Sequence, residues 1–210
     1  LRSRTDGRLR VLVGHDQRFG ADMLAHAVVS GFQAVGADVV MLGCVSTGVY
    51  SVFLQEGEFH GGILVTGSHM PPERIGIIPM LGNGHYADRD VTDLIEARLW
   101  QIDGQLQDEL FRKQILAGYQ DVGSLTRDVG PHTRYVGRLW KLMEAAREAI
   151  ESAQFRVLLD PGNGTSGAVA QTLLHLFDGL EVEVIHGEPK PIPDRPSECK
   201  PETCGVAIAR

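Results

Sequence analysis

Arg10-Val11-Leu12-Val13-Gly14 is a short apolar run closed by a glycine, and Asp38-Val39-Val40-Met41-Leu42-Gly43 is a second of the same kind. Between them Leu24, Val28, Gly31, Phe32 and Val35 recur at helical spacing, and Gly36 supplies a stop. Strand, helix and strand in so compact a stretch make a βαβ unit, which requires a parallel sheet and a right-handed crossover. Reading outward, Ser46-Thr47-Gly48 precedes a short helix predicted over residues 49–54, and residues 61–65 read as a third buried strand. Residues 71–88, rich in Gly and Pro, read as an irregular but ordered loop. Asp88 or Asp90 then caps a helix over roughly 91–101, with Leu94, Ile95 and Leu99 on one face.

Beyond it the pattern weakens and then restarts. Leu106, Leu110, Ile115 and Leu116 suggest one more helix, and residues 118–130 read as a linker. Val136, Leu139, Trp140, Met143, Ala146 and Ile150 share one helical face. A strand at Phe155-Arg156-Val157-Leu158-Leu159-Asp160, a turn at 161–167, a helix through Val169, Leu173, Leu176 and Phe177, and a strand at 181–185 follow. Two α/β domains are therefore expected, divided within 123–131. The Pro-rich tail from 187 to 203 is loop-like, and residues 205–209 are a last strand candidate.

The 210 residues carry a formal charge of −7, which argues against non-specific nucleic-acid binding. No apolar run approaches the length needed to cross a bilayer, and residues 1–6 lead into no apolar core, so neither a membrane span nor a secretory signal is expected. Cys44, Cys199 and Cys204 are odd in number and without CxxC spacing, which fits reduced cytosolic thiols rather than zinc. The first residue is not Met, so the chain is expected either to be a fragment or to lack its true start.

Chemistry is expected at Thr66-Gly67-Ser68-His69-Met70-Pro71-Pro72, where the third strand ends in a turn stiffened by two prolines. Open α/β sheets bind ligands at the carboxyl ends of their strands. Ser68 is the nucleophile candidate, and His69, its direct neighbour, is a doubtful base because consecutive side chains diverge; the bland alternative is a polar turn. Arg18 in His15-Asp16-Gln17-Arg18 could reach a phosphate beside Ser68, or the stretch is a surface turn with an Asp helix cap. Pro161-Gly162-Asn163-Gly164-Thr165-Ser166-Gly167 could cradle a phosphate, or be a strand–helix turn that needs Gly for positive φ. The stretch from Arg195 to Glu202 is either a solvated linker or a loop lining a cleft between domains. The remaining histidines, His26, His60, His85, His132, His175 and His186, show no ligand spacing and read as structural or surface residues.

Together these residues resemble the α-D-phosphohexomutases, the phosphoglucomutase/phosphomannomutase family. Val65-Thr66-Gly67-Ser68-His69-Met70-Pro71-Pro72 is similar to their active-site serine loop, T-[AG]-S-H-N-P. Val13-Gly14-His15-Asp16-Gln17-Arg18 resembles their V-G-R-D-x-R turn, Leu42-Gly43-Cys44-Val45-Ser46-Thr47 their L-G-x-x-x-T-P stretch, and Leu158-Leu159-Asp160-Pro161-Gly162-Asn163-Gly164 their D-x-x-N-G turn. The resemblance implies two consecutive three-layer α/β domains with mixed, mostly parallel sheets, at 1–127 and 128–210, the second incomplete. It implies a cytoplasmic isomerase in which Ser68 carries a phosphoryl group between the C1 and C6 hydroxyls of a hexose phosphate, glucose or mannose 1-/6-phosphate, through a bisphosphate. His69 would assist; Arg18, Thr66, Gly67 and Arg74 would hold substrate or phosphate; and Mg²⁺ would bind Ser68 through its phosphate together with a D-G-D-x-D loop.

Three departures accompany the match. The chain stops on Cys204-Gly205-Val206-Ala207-Ile208-Ala209-Arg210, which resembles the strand leading into the metal loop, with fewer residues before it than the family pattern has. Ile78 occupies the place of a proton-handling lysine, for which Arg74 is a poor substitute. The segment with a further N-terminal arginine is missing. The 210 residues alone are therefore expected to be inactive. A non-catalytic phosphosugar-binding or regulatory relative is the alternative; a serine hydrolase would need the G-x-S-x-G elbow, which is absent.

Overall fold

The computed structural model describes residues 7–105, 108–196, 198 and 200–205. The expected βαβ unit forms as β1 (Arg10–His15), α1 (Ala21–Ala34) and β2 (Asp38–Cys44), and α2 (Thr47–Glu56) leads into β3 (Gly61–Thr66). Ser46 caps α2 by accepting from the Val49 N–H. The strands β1, β2 and β3 are parallel, with β1 central.

Side chains alternate across this sheet as strand geometry demands. Val11, Val13, Val39, Met41 and Val65 pack against Ala21, Ala25 and Val29 of α1 on one face. Leu12, Leu42 and Leu64 pack against Val49, Tyr50 and Leu54 of α2 on the other. Three layers result, each face of the sheet burying one helical stripe. Tyr50, fully buried, donates its hydroxyl to the Leu12 carbonyl at 2.8 Å. Burial pushes its phenol well above the usual value.

Two expectations in this region need correction. The stretch 71–88 is not wholly irregular, because β4 (Gly76–Leu81) pairs antiparallel with β3. Pro79 disguises it, yet a proline is tolerated on an edge strand, where one row of N–H groups has no ladder partner. The supposed linker 118–130 contains β5 (Leu125–Arg127), which adds parallel to β2 and completes the order β4-β3-β1-β2-β5. Three residues are too few to carry a periodic signal. The helix α3 (Arg89–Gln105) follows β4, its first turn capped by Asp88 accepting from the Val91 N–H, and α4 (Glu109–Ile115) comes next.

The chain continues with α5 (Pro131–Leu142). The single helix expected through residue 150 breaks into α5, a 3₁₀ turn (Glu144–Ala146) and α6 (Arg147–Ala153). The break lets the Arg147 guanidinium fold back over the Trp140 ring, 4.0 Å from its centroid, and donate to the Trp140 carbonyl. Then come β6 (Arg156–Leu159), α7 (Gly167–Leu174) and β7 (Glu181–Val184), with β6 and β7 parallel. Val136 of α5 and Val169 of α7 join the core on the α2 side of the first sheet. The last strand candidate, 205–209, lies outside the described residues beyond Gly205.

Glycine at position 62 is required by close approach. A Cβ there would stand 2.2 Å from both the Leu12 carbonyl oxygen and the Tyr50 hydroxyl. Gly62→Ala is expected to cost about 1–3 kcal/mol, as overpacking does in well-filled cores. Urea unfolding measures this, and an unchanged midpoint would contradict the packing described.

Candidate functional site

In the strand order β3-β1-β2 the chain leaves β1 in one direction and returns on its other side. The carboxyl ends of β1 and β3 therefore flank the point where such sheets open a crevice. Asp16 and Arg18 follow β1, and Gly67 to Met70 follow β3.

Asp16 is buried and serves as the hub. Its carboxylate accepts from the Arg18 backbone N–H at 2.9 Å, the Arg18 Nε–H at 3.1 Å, the Thr66 hydroxyl at 2.7 Å and the Gly67 N–H at 3.0 Å. Arg18 is buried beside it. Its Nη1 donates to the carbonyls of Pro71 and Arg74 at 2.5 and 2.9 Å, and its Nη2 to those of Ser68 and Met70, both at 2.7 Å. All five N–H donors of the guanidinium thus have protein acceptors. The phosphate fork expected at Arg18 is spent on the loop itself. Nor is Asp16 a surface helix cap, since Gly20 occupies the cap position of α1 without a side-chain bond.

This pair decides the loop's shape. Breaking a buried ion pair costs about 3–5 kcal/mol. An exposed i,i+4 pair such as Lys113–Glu109 is worth about 0.3–0.5 kcal/mol. Gly67 is needed because a Cβ would lie 2.5 Å from the Arg18 guanidinium carbon and 2.3 Å from the Arg74 carbonyl oxygen. Thr66 extends the frame, its hydroxyl accepting from the Ser68 N–H at 3.0 Å.

Ser68 itself is exposed and held at φ +51°, a left-handed conformation that costs a non-glycine residue about 1–3 kcal/mol. Its Oγ lies 3.5 Å from His69 Nδ1, too long for a strong bond. The Arg74 side chain is exposed, and its carbonyl is the part that touches Arg18. Ile78 lies on β4 opposite Leu64 and packs half-buried on the core, so a hydrophobe fills the position where the resemblance places lysine.

A cleft of about 560 Å³ opens beside Ser68. Asp16, Gln17, Thr66 and Ser68 form one side, and Ser46, Thr47 and Gly48 bring the start of α2. Tyr135 and Leu139 of α5 and Gly164 to Ser166 ahead of α7 form the other. A second recess, of about 450 Å³, brings His69 to Pro72 against Ile192 to Pro196 and Glu198. Part of the Arg195 stretch therefore lines a recess that faces the serine loop. Cys44 is half-buried, and burial together with the Asp16 charge pushes its thiol up to about 11, which removes it as a nucleophile at neutral pH.

Periodicity missed a second buried cluster. Asp160, at the end of β6, accepts from the Gly162 N–H, from Arg195 Nε at 2.8 Å and pairs with His186 Nδ1 at 3.0 Å. Asn163, 1% exposed at φ +58°, donates to the Glu188 carbonyl and accepts from the Asp194 N–H. The turn 161–167 is thus a latch on the 186–195 loop, closer to the structural than to the phosphate-cradle reading. His186 is part of that latch. The adjacent Asp and the Asn-Gly pair were the only sequence signals for it.

The sequence model described as phosphoglucomutase/phosphomannomutase, alpha/beta/alpha domain I, matches residues 1–106. The phosphoglucosamine mutase of Lachnoclostridium phytofermentans is 31% identical over 185 residues, 88% of this chain and 38% of the relative. That of Methylobacterium sp. (strain 4-46) is 32% identical over 187 residues, 89% of this chain and 39% of the relative. The chain thus spans less than two-fifths of the length of these curated relatives. The crystal structure of a phosphomannomutase candidate from Thermus thermophilus superposes with a TM-score of 0.73 at 24% identity, covering 97% of this chain and 43% of that one, a likeness of fold.

The latch carries a pH signature. Burial raises the Asp160 carboxyl, but hydrogen bonds from Arg195, His186 and the Gly162 N–H outweigh it and hold it below the usual carboxylate range. A depressed folded pKa contributes stability present above the unfolded value and lost as pH falls through the folded one. Protection of the amides across residues 186–196, taken against the intrinsic exchange rate at each pH, is expected to hold down to about pH 4 and to fall below it. Asp160→Asn is expected to lower it already at pH 7; unaltered protection in that variant would contradict the latch.

Proposed function

Because the chain belongs to the phosphoglucomutase/phosphomannomutase family, we propose that Ser68 is its phosphoryl carrier in a phosphosugar mutase. One observation carries the reading. The exposed serine stands at the sheet's switch point on a turn whose backbone is already fixed by Asp16 and Arg18. A carrier must receive and surrender a phosphoryl group without moving, and positioning supplies much of phosphoryl-transfer catalysis.

In this reading a phosphate on Ser68 meets a hexose phosphate in the cleft. The sugar hydroxyl oxygen bonds to phosphorus, the P–Oγ bond breaks, and the hydroxyl proton passes to Ser68 Oγ by way of nearby groups. The bisphosphate turns over and returns its other phosphate to Ser68. His69 contributes a hydrogen bond to the phosphate, and the exposed Arg74 side chain, six residues beyond Ser68, supplies a cation for substrate or phosphate. Thr66 and Gly67 act by fixing the Ser68 backbone rather than by touching substrate. The N–H groups that open α2, behind Ser46, favour an anion in the same cleft.

Among the described residues no group of three or more His, Cys, Asp or Glu could hold a metal ion, and the Asp16 carboxylate is already engaged. These residues alone do not make a Mg²⁺ site; a phosphate on Ser68 would offer it only oxygens. The relatives named phosphoglucosamine mutases make a hexosamine phosphate the first sugar to test beside glucose and mannose phosphates. No helix among the described residues is long and apolar enough to cross a membrane, and Cys44 and Cys204 are free thiols, which suits a cytoplasmic site of action. Sugar-phosphate turnover is proposed for the full-length protein and not for these 210 residues alone. Ile78 in place of a lysine favours a second reading, a phosphosugar-binding relative that kept the fold without the reaction.

Intact-mass spectrometry of freshly purified full-length protein separates the two. The mutase reading expects a population heavier by one phosphoryl group, removed by Ser68→Ala and discharged by adding hexose monophosphate. Unmodified Ser68 in a preparation that interconverts hexose phosphates would overturn it.

A further inference from the structure

A cavity of about 300 Å³ lies on the α2 face of the first sheet, near the amino ends of β1 and β3. Those strands carry Asp16 and Ser68 at their other ends, roughly 20 Å away along a six-residue strand. Its floor is apolar, built from the half-buried Val40, Val52 and Phe53, with the fully buried Leu12 beneath them. Its rim is cationic, with Arg10, Arg134 and Arg138 set against the carboxylates of Glu56 and Asp128. Three guanidiniums against two carboxylates leave this rim with an excess of positive charge, although the whole chain carries −7.

The arginines are anchored in advance. Arg10 Nη1 donates to the Gly57 carbonyl at 2.7 Å, and its guanidinium lies 4.5 Å from the Phe59 ring centroid. Arg134 pairs with Asp128 and lies 4.6 Å from the Phe53 ring centroid. Arg138 pairs with Glu56. Each guanidinium is held through one nitrogen, among the described residues, and keeps further N–H donors for a ligand. Side chains ordered before binding lose less entropy on binding.

We propose that this cavity is a binding site for a small anion with an apolar ring, a monocyclic carboxylate or phosphate monoester. The ring would cover the floor of Val40, Val52 and Phe53, and the anion would meet Arg134 and Arg138 at the rim, where guanidinium geometry suits two-oxygen recognition. The volume sits at the small end of ligand pockets, which limits the body to about one ring. A hydroxyl-covered sugar phosphate would leave the apolar floor unmatched, so the ligand class differs from the substrate of the Ser68 cleft. The inference stands independently of the reaction proposed for Ser68.

Isothermal titration of the full chain with phenyl phosphate tests this, with inorganic phosphate and phenol as probes of each half alone. Phenyl phosphate is expected to bind saturably and at least about tenfold more tightly than either half. Arg134→Gln and Arg138→Gln are each expected to weaken it about tenfold, with Ser68→Ala without effect. Absence of saturable binding, equal binding of inorganic phosphate, retained affinity in both arginine variants, or loss in Ser68→Ala would each overturn the proposal. Should an arginine variant unfold, nuclear magnetic resonance of the unaltered protein decides. Shifts confined to the Phe53 and Phe59 rings support the site, and shifts confined to the Ser68 loop refute it.

Discussion

The buried pair between Asp16 and Arg18 is the interaction on which the rest of the site depends. Fixing the backbone of residues 67–74 costs roughly 8–16 kcal/mol of conformational entropy. The four charge-assisted bonds of Arg18 to this loop contribute about 6–12 kcal/mol at ordinary values, so they are of the same size as that cost. The loop is held by its neighbour strand's turn rather than by its own packing, and Ser68 is free to stay exposed. This links topology to chemistry directly. Only because β1 and β3 are adjacent and parallel does the turn after one reach the turn after the other.

The turn after β6, in the two-stranded sheet β6-β7, repeats the device with other residues. Asp160 ends β6 as Asp16 follows β1, and each carboxylate clamps an arginine while accepting a backbone N–H two residues or more ahead. There the arginine comes from the distant 186–196 segment, so the clamp closes a long loop instead of a short one. That loop is the surface facing His69 and the prolines of the serine loop. Two acid–arginine clamps thus define the two walls of the same recess. The helix α5 is a wall of two openings, since Tyr135 lines both the Ser68 cleft and the arginine-rimmed cavity.

Most of the first sheet was legible because its strands are short, continuous apolar runs and its helices carry a stripe at helical spacing. What escaped did so for identifiable reasons. Pro79 hid an edge strand, where the rule against proline in sheets relaxes. Leu125-Thr126-Arg127 is too short to show a period. In the site, Ser68 was visible as a serine at the end of a buried strand, but the role of Arg18 was not. Its chemistry suits a phosphate and a carbonyl cage equally well, and only the positions of residues some fifty places along the chain decide between them. Asp16 was hidden for the same reason, and the Asp160 latch more so, because Arg195 and His186 come from a loop without periodicity.

The central claim is that Arg18 makes Ser68 a phosphoryl carrier by holding its loop, and not by binding the phosphate. The most direct measurement is transfer from an isotopically labelled hexose 1,6-bisphosphate to the full-length protein, with the labelled residue located by tandem mass spectrometry, in the unaltered protein and in Arg18→Lys. The account predicts label on Ser68 in the first. It predicts little label in the second, where an ammonium cannot serve the four carbonyls and the Asp16 carboxylate together, along with faster amide exchange over residues 67–74. Label on another residue, or undiminished labelling of Ser68 in Arg18→Lys, would contradict it.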